Sequence, residues 1–144
     1  GYGRNYLLPR KLAVEANAEN MNTMKMQEKA KKAQEAAEKA EAEATAAKLK
    51  ELTVKFSEMQ ARVEAGDKEV CGFKDFHARR LVETAGHIII AYLLARQAGQ
   101  VGEYAASARV FCKMAEAKIS EAYTYVMNST TEDVALFKAV ENEF

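Results

Sequence analysis

The residues with chemical potential are few and scattered. His77 and His87 lie ten residues apart. On a helix they would point about 280° apart at 3.6 residues per turn, which prevents them from sharing a metal ion. His87 sits among isoleucine and leucine and reads as a core histidine. Arg79 and Arg80 could meet a phosphate, but a solvated pair, or an ion pair with Glu83 four residues on, is the preferred reading. Beyond that ion pair, Glu83 and Glu116 are single helix-face acids with no identifiable partner. Cys71 and Cys112 fit neither a metal spacing nor a disulfide framework and read as two reduced thiols. Gly1-Tyr2-Gly3 lacks the preceding strand that a phosphate loop requires. No nucleophile, base and orienting group can be assembled. The expectation is a chain that is not an enzyme, with no cofactor, no metal and no small-molecule substrate.

A different chemistry appears at the start of the chain. Its first eleven residues hold Arg4, Arg10 and Lys11, two tyrosines and no acid. Cations interleaved with aromatics suit RNA, through phosphate pairing and base stacking. The candidate nucleic-acid contacts are therefore Tyr2, Arg4, Asn5, Tyr6, Arg10 and Lys11, with a solvated loop or short helix as the competing reading. Leu12 to Ala16 has the pattern of a short strand but no neighbouring strand to pair with.

These residues must be carried by helices. The 144 residues are 49 % hydrophobic and 29 % charged, with formal net charge zero, one proline and no tryptophan. Residues 1 to 56 are net positive and residues 57 to 144 net negative by the same amount, and neither excess demands a nucleic-acid or membrane partner. From Asn17 to about Ala65 there is neither glycine nor proline. This stretch predicts one exposed helix of roughly 70 Å, capped by Asn17 with Glu19 in its first turn. Between Gln27 and Lys48 no apolar side chain exceeds alanine. That segment has helix propensity but little to bury, and it reads as a solvated connector. Met21, Met24 and Met26 read as packing residues. Leu49, Leu52, Phe56, Met59 and Val63 then form an apolar stripe. Thr53 and Val54 are β-branched, and continuous helix is expected through them.

Downstream, Gly66-Asp67 reads as the first break. Asp75 is placed as the cap of a helix from Phe76 to Ala98 closed by Gly99. That helix has one apolar row of Leu81, Ala85, Ile88, Tyr92 and Ala95, and a second of Val82, Gly86, Ile89 and Leu93. A helix apolar on two sides belongs at the centre of a bundle, and Gly86 would admit a close neighbour. A third helix from Glu103 to Met127 turns Tyr104, Ala108, Phe111, Ala115, Ile119, Ala122 and Val126 inward. A fourth follows the capping-box pair Thr130 and Asp133 and buries Val134, Phe137 and Val140. The fold class is all-α: a long exposed N-terminal helix running into an antiparallel helical bundle. The longest apolar run, Ala85 to Ala95, is too short to span a bilayer. With no signal peptide read, a cytosolic location is expected, and the helix faces leave self-association open.

Two resemblances join in this chain. Gly1-Tyr2, Asn5-Tyr6-Leu7, Ala13 and Asn17, with the Ala/Lys/Glu helix that follows, resemble bacterial ribosomal large-subunit protein nine over residues 1 to 56. That resemblance implies binding to large-subunit rRNA, with residues 1–17 as part of the N-terminal domain and 18–56 as the connecting helix. Lys11 stands where the family signature has glycine, and the family's glycine- and lysine-rich hairpin is not among the 144 residues. Asp75-Phe76-His77-Ala78-Arg79-Arg80-Leu81-Val82-Glu83, Ala85 to Leu94, and Tyr104 to Ala117 resemble the extra C-terminal helical domain of bacterial acyl-CoA dehydrogenases, over residues 57–144. In those enzymes the flavin site and catalytic carboxylate belong to preceding domains, so this resemblance implies a subunit-contact module. The joint expectation is a chimera, engineered or otherwise hybrid, that acts as a structural connector or assembly component. Its alternatives are an rRNA-binding ribosomal fragment and a dehydrogenase subunit-contact domain.

Overall fold

The computed structural model describes residues 1–7, 9–11 and 17–142, the side chain of Leu7 excepted. Four helices account for most of them: α1 Ala18–Glu69, α2 Phe73–Gln100, α3 Ala105–Asn128 and α4 Thr131–Glu141. A π-helical turn, Gly3–Leu7, precedes α1, and a 3-10 turn, Gly102–Tyr104, links α2 to α3. Among the described residues there is no strand, and the chain is all-α as expected. The stretch 12–16, weighed as a strand without a partner, lies outside the described residues. The chain divides into two compact units, Gly1–Glu41 and Ala42–Phe144.

In the first unit the start of α1 follows from its capping chemistry. The side-chain oxygen of Asn17 accepts from the Asn20 N–H at 2.8 Å, satisfying one of the orphan donors of the first turn. Glu28 and Lys32 pair at 2.8 Å and Gln34 donates to Glu38 at 3.0 Å, which supports a segment with no apolar face to bury. Met21, Met24 and Met26 are exposed, which overturns core packing as their default reading and leaves packing against a partner open.

In the second unit α1 runs unbroken through Thr53–Phe56. The Thr53 hydroxyl donates to the Leu49 carbonyl at 2.8 Å, and the Ser57 hydroxyl to that of Thr53 at 3.2 Å, so these side chains bond back to the preceding turn rather than opening it. The stripe behaves as its spacing predicts. Leu52, Met59 and Val63 are buried. Met59 and Val63 join Phe73, Val126 and Val134 in one cluster, while Leu52 meets Ala115 and Ile119 in another. Lys48 donates to Glu116 on α3 at 2.8 Å and to Glu51 at 3.2 Å, which gives Glu116 the partner the sequence did not. Both acids raise the Lys48 pKa, the hydrogen bond to Glu116 foremost.

The helix does not break at Gly66. Gly66 is buried inside α1, and a Cβ there would meet the Phe73 ring at 2.5 Å. The absence of a side chain lets the ring lie directly on the helix backbone. The turn comes later, at Val70–Gly72, where Gly72 takes a φ of 96°, a left-handed conformation that costs glycine little. The Lys138 ammonium of α4 donates to the Cys71 carbonyl in the same turn. Asp75 therefore does not cap α2, which has already begun at Phe73 with no side-chain cap. Instead Asp67 accepts from the Lys74 N–H at 3.1 Å. The capping box of α4 forms as predicted: the Thr130 N–H donates to Asp133 at 2.7 Å, and the Asp133 N–H to the Thr130 hydroxyl at 3.4 Å.

The two-sided apolar pattern of α2 is satisfied on one side only. Phe73, His77, Thr84 and Ala91 are buried, whereas Val82, Ile89, Tyr92 and Leu93 are about half or more exposed. Among the described residues no atom comes within 4 Å of a Cβ placed at Gly86, apart from α2's own nearby backbone. Within this chain α2 is not the centre of a bundle. Tyr104, Phe137 and Val140, expected inward, are also exposed.

The Gly66–Phe73 contact yields a test. Alanine is the better helix former by about 1 kcal/mol, yet Gly66→Ala should lower unfolding free energy by about 1–3 kcal/mol through overpacking against a fully buried ring. Gly99→Ala, with nothing within 4 Å of the new methyl, should raise it by up to about 1 kcal/mol. Urea unfolding of both variants measures the contrast.

Candidate interaction site

Two places bring the sequence's candidate residues together, one in each unit. In the first, Tyr2 and Tyr6 stack with centroids 4.9 Å apart and planes 15° from parallel. The Arg10 guanidinium lies 3.8 Å above the Tyr6 ring, within cation–π range. Tyr2, Tyr6 and Arg10 are each four residues apart, a regularity in the sequence that could have signalled the stack. Arg4 and Asn5 belong to the π-helical turn that sets the two tyrosines side by side, and the Asn5 N–H donates to the Gly1 carbonyl at 3.0 Å. Lys11 has a φ of 54°. A left-handed conformation costs a residue with a Cβ roughly 1–2 kcal/mol, and glycine is the residue that takes it freely. Both rings of the stack remain open to solvent.

In the second unit α2 and α3 border an open cleft of about 930 Å³, lined among others by Arg79, Arg80, Glu83, His87, Lys118 and Tyr125. Arg79 is committed to Glu83 at 2.8 Å, as preferred from the sequence. The pair raises the Arg79 pKa and lowers that of Glu83, the hydrogen bond being the main cause on both sides. Arg80 lies 4.1 Å above the Tyr125 ring and 5.6 Å from that of Phe76, and donates to the Phe76 carbonyl at 3.2 Å. The phosphate-binding pair considered from the sequence is thus an ion pair and a stacked cation.

The core histidine is His77, not His87. His77 is fully buried and His87 only half-buried. The spacing of His77 from Thr84 and Ala91, seven and fourteen residues, was the available signal, masked by the more apolar neighbours of His87. The His77 ring lies 5.0 Å from Phe73, 4.7 Å from Phe76 and 5.9 Å from Tyr125. Neither of its nitrogens has a hydrogen-bond partner among the described residues. Burial, and then the charges of Arg80 and Arg62, lower its pKa to about 4, so the ring is held neutral. Cys112 is also kept protonated by burial. No group of three or more His, Cys, Asp or Glu among the described residues could hold a metal ion.

Two family models match. One, described as acyl-CoA dehydrogenase C terminal, covers residues 16–134. It takes in all of α1, α2 and α3. The chain belongs to the acyl-CoA dehydrogenase C-terminal family. The second, described as the N-terminal domain of ribosomal protein L9, covers residues 1–24, and both parts of the hybrid resemblance are therefore found. No curated protein and no solved structure matches the chain. The tyrosine–arginine stack and the left-handed Lys11 fall in the ribosomal stretch. The cleft and both faces of α2 fall in the dehydrogenase C-terminal stretch, where the cleft is lined by paired and stacked side chains.

The neutral His77 makes stability pH-dependent. A ring that titrates near 4 when folded and near 6.5 when unfolded contributes fully above pH 6.5. As pH falls from there towards 4, the unfolded chain gains a proton that the folded one refuses. The loss amounts to up to roughly 3 kcal/mol. Denaturant unfolding of His77→Leu at pH 7.5 and 4.5 should show a smaller drop than the parent chain.

Proposed function

We propose that this chain is a non-catalytic structural module that works by presenting helix faces to a partner subunit. The observation that carries the reading is α2: a helix apolar on two opposite sides of which the chain covers one. An uncovered apolar patch of this size on a folded chain marks a contact surface. The family match supports it, since 16–134 corresponds to a C-terminal domain of a larger enzyme type rather than to one with its own chemistry. Residues 1–17 serve as a ribosomal-protein-like segment, 18–56 as the connecting helix and 57–144 as the bundle. The chain is a hybrid assembly component located in the cytosol, and its flavin-free, substrate-free character follows from the same reading. Among the described residues no helix is long and apolar enough to cross a membrane.

Light scattering with flavin and acyl-CoA titrations tests this. The expected result is a mass above the 16.0 kDa of one chain, flat titrations, and a return to lower mass in Ile89→Glu. Saturable binding of either ligand, or a single-chain mass at every concentration, would overturn it.

The stack at the N-terminus favours a second reading, an RNA contact. Exposed tyrosines with a cation on one face offer a platform for unpaired bases. In filter binding to a large-subunit rRNA fragment, Tyr6→Ala should weaken binding about 5- to 150-fold, the value of one base–aromatic stack. Raising the salt should weaken the parent chain as well. Weak binding insensitive to both changes removes this reading.

A further inference from the structure

The uncovered side of α2 has a pattern that says what fits it. Val82, Gly86, Ile89 and Leu93 follow one another at intervals of four, three and four, on the side opposite the buried His77, Thr84 and Ala91. This is the seam spacing of helices that pair along their length. The interval order is the same read from either end. A second copy of α2 laid antiparallel across the midpoint between Gly86 and Ile89 therefore meets it in register. Val82 of each copy then faces Leu93 of the other, and Gly86 faces Ile89.

Resting on the contact-module reading above, we propose that the partner is a second copy of this chain, paired through α2 in antiparallel, two-fold symmetric fashion. Three observations favour this arrangement. First, the shapes are complementary only that way. Gly86 leaves open space, with nothing among the described residues within 4 Å of an added Cβ, and Ile89 projects with 58 % of its surface exposed. Antiparallel pairing seats the large residue over the small one at two symmetry-related levels. Parallel pairing would set Gly86 on Gly86, a void, next to Ile89 on Ile89, a crowded level.

Second, the charges at the seam's ends discriminate in the same sense. Parallel pairing would oppose Asp75 to Asp75, Arg79 to Arg79 and Arg96 to Arg96, all of them exposed. Antiparallel pairing sets Asp75 across from the neutral Gln100. Arg79, countered by Glu83 at 2.8 Å, and Arg96 lie level with arginines in either arrangement, so the discrimination comes from Asp75. Third, the area reaches the lower end of what a specific interface needs. The exposed parts of Val82, Ile89 and Leu93 on the seam, with Ile90 and Tyr92 on its two flanks, amount to roughly 500 Å² on side chains of this size. Full cover in two copies removes at most about 1,000 Å².

Cysteine cross-linking tests the geometry in a chain with Cys71→Ser and Cys112→Ala. A disulfide requires Cβ atoms about 3.5–4.5 Å apart. Under mild oxidation a mixture of Val82→Cys chains and Leu93→Cys chains should yield a covalent pair containing one of each, with little product from either alone. Efficient linking of Val82→Cys chains to themselves would overturn the antiparallel arrangement. So would an oligomer by light scattering that links in neither way, and both outcomes leave the contact-module reading standing; a single-chain mass at all concentrations overturns both. Gly86→Leu is the second variant. It fills the place of the opposing Ile89, and its Cβ meets no described atom of its own chain within 4 Å. It should leave helix content and unfolding cooperativity intact and weaken association at least about tenfold. Unchanged association in Gly86→Leu would also overturn the proposal.

Discussion

The Phe73 ring lying on Gly66 is the contact on which the Ala42–Phe144 unit depends. It fixes where α1 meets α2, because no residue with a side chain at position 66 would let the ring reach the helix backbone. Arg62, one turn earlier on α1, sits 4.6 Å from the same ring and donates to the Ser129 carbonyl at 2.7 Å. One aromatic side chain thus gathers α1, the start of α2 and the α3–α4 junction. The left-handed Gly72 and the Lys138 bond to the Cys71 carbonyl hold the turn that delivers Phe73 to this seat.

That arrangement also explains the state of His77. One turn beyond Phe73, it faces the same cluster and is enclosed by Phe73, Phe76 and Tyr125. Two arginines near it, Arg62 and Arg80, are occupied as a carbonyl donor and a ring-stacked cation. Their charges add to burial in disfavouring the imidazolium. The ring is therefore a packing element with polar atoms rather than an acid–base group.

The uncovered face of α2 is the counterpart of this economy at one end of the unit. Within the Ala42–Phe144 unit α1, α3 and a short α4 lie against the inner side of α2, and Val82, Ile89 and Leu93 on its outer side stay exposed. Hydrophobic periodicity cannot distinguish these cases. Val82, Ile89 and Leu93 carry the same signal as Leu81, Ile88 and Ala95, and only the number and length of neighbouring helices decide which row is covered. The misreading of Phe137 and Val140 has the same origin, since α4 packs chiefly through Val134.

Much was legible in the sequence: the all-α class, the uninterrupted α1 with its bare middle and apolar end, the Asn17 cap, the Thr130–Asp133 capping box and the Arg79–Glu83 pair. These depend on residues three to seven apart, where helix geometry alone determines who meets whom. The place of Gly66 inside a helix, the burial of His77 instead of His87, the Lys48–Glu116 bridge and the open side of α2 depend on residues far apart in the chain. Only the tertiary structure decides them, because they follow from which helices are present to pack and how closely they approach. For the N-terminal stack the composition showed the residue types, and the conformation of the Gly3–Leu7 turn decided that Tyr2, Tyr6 and Arg10 come together.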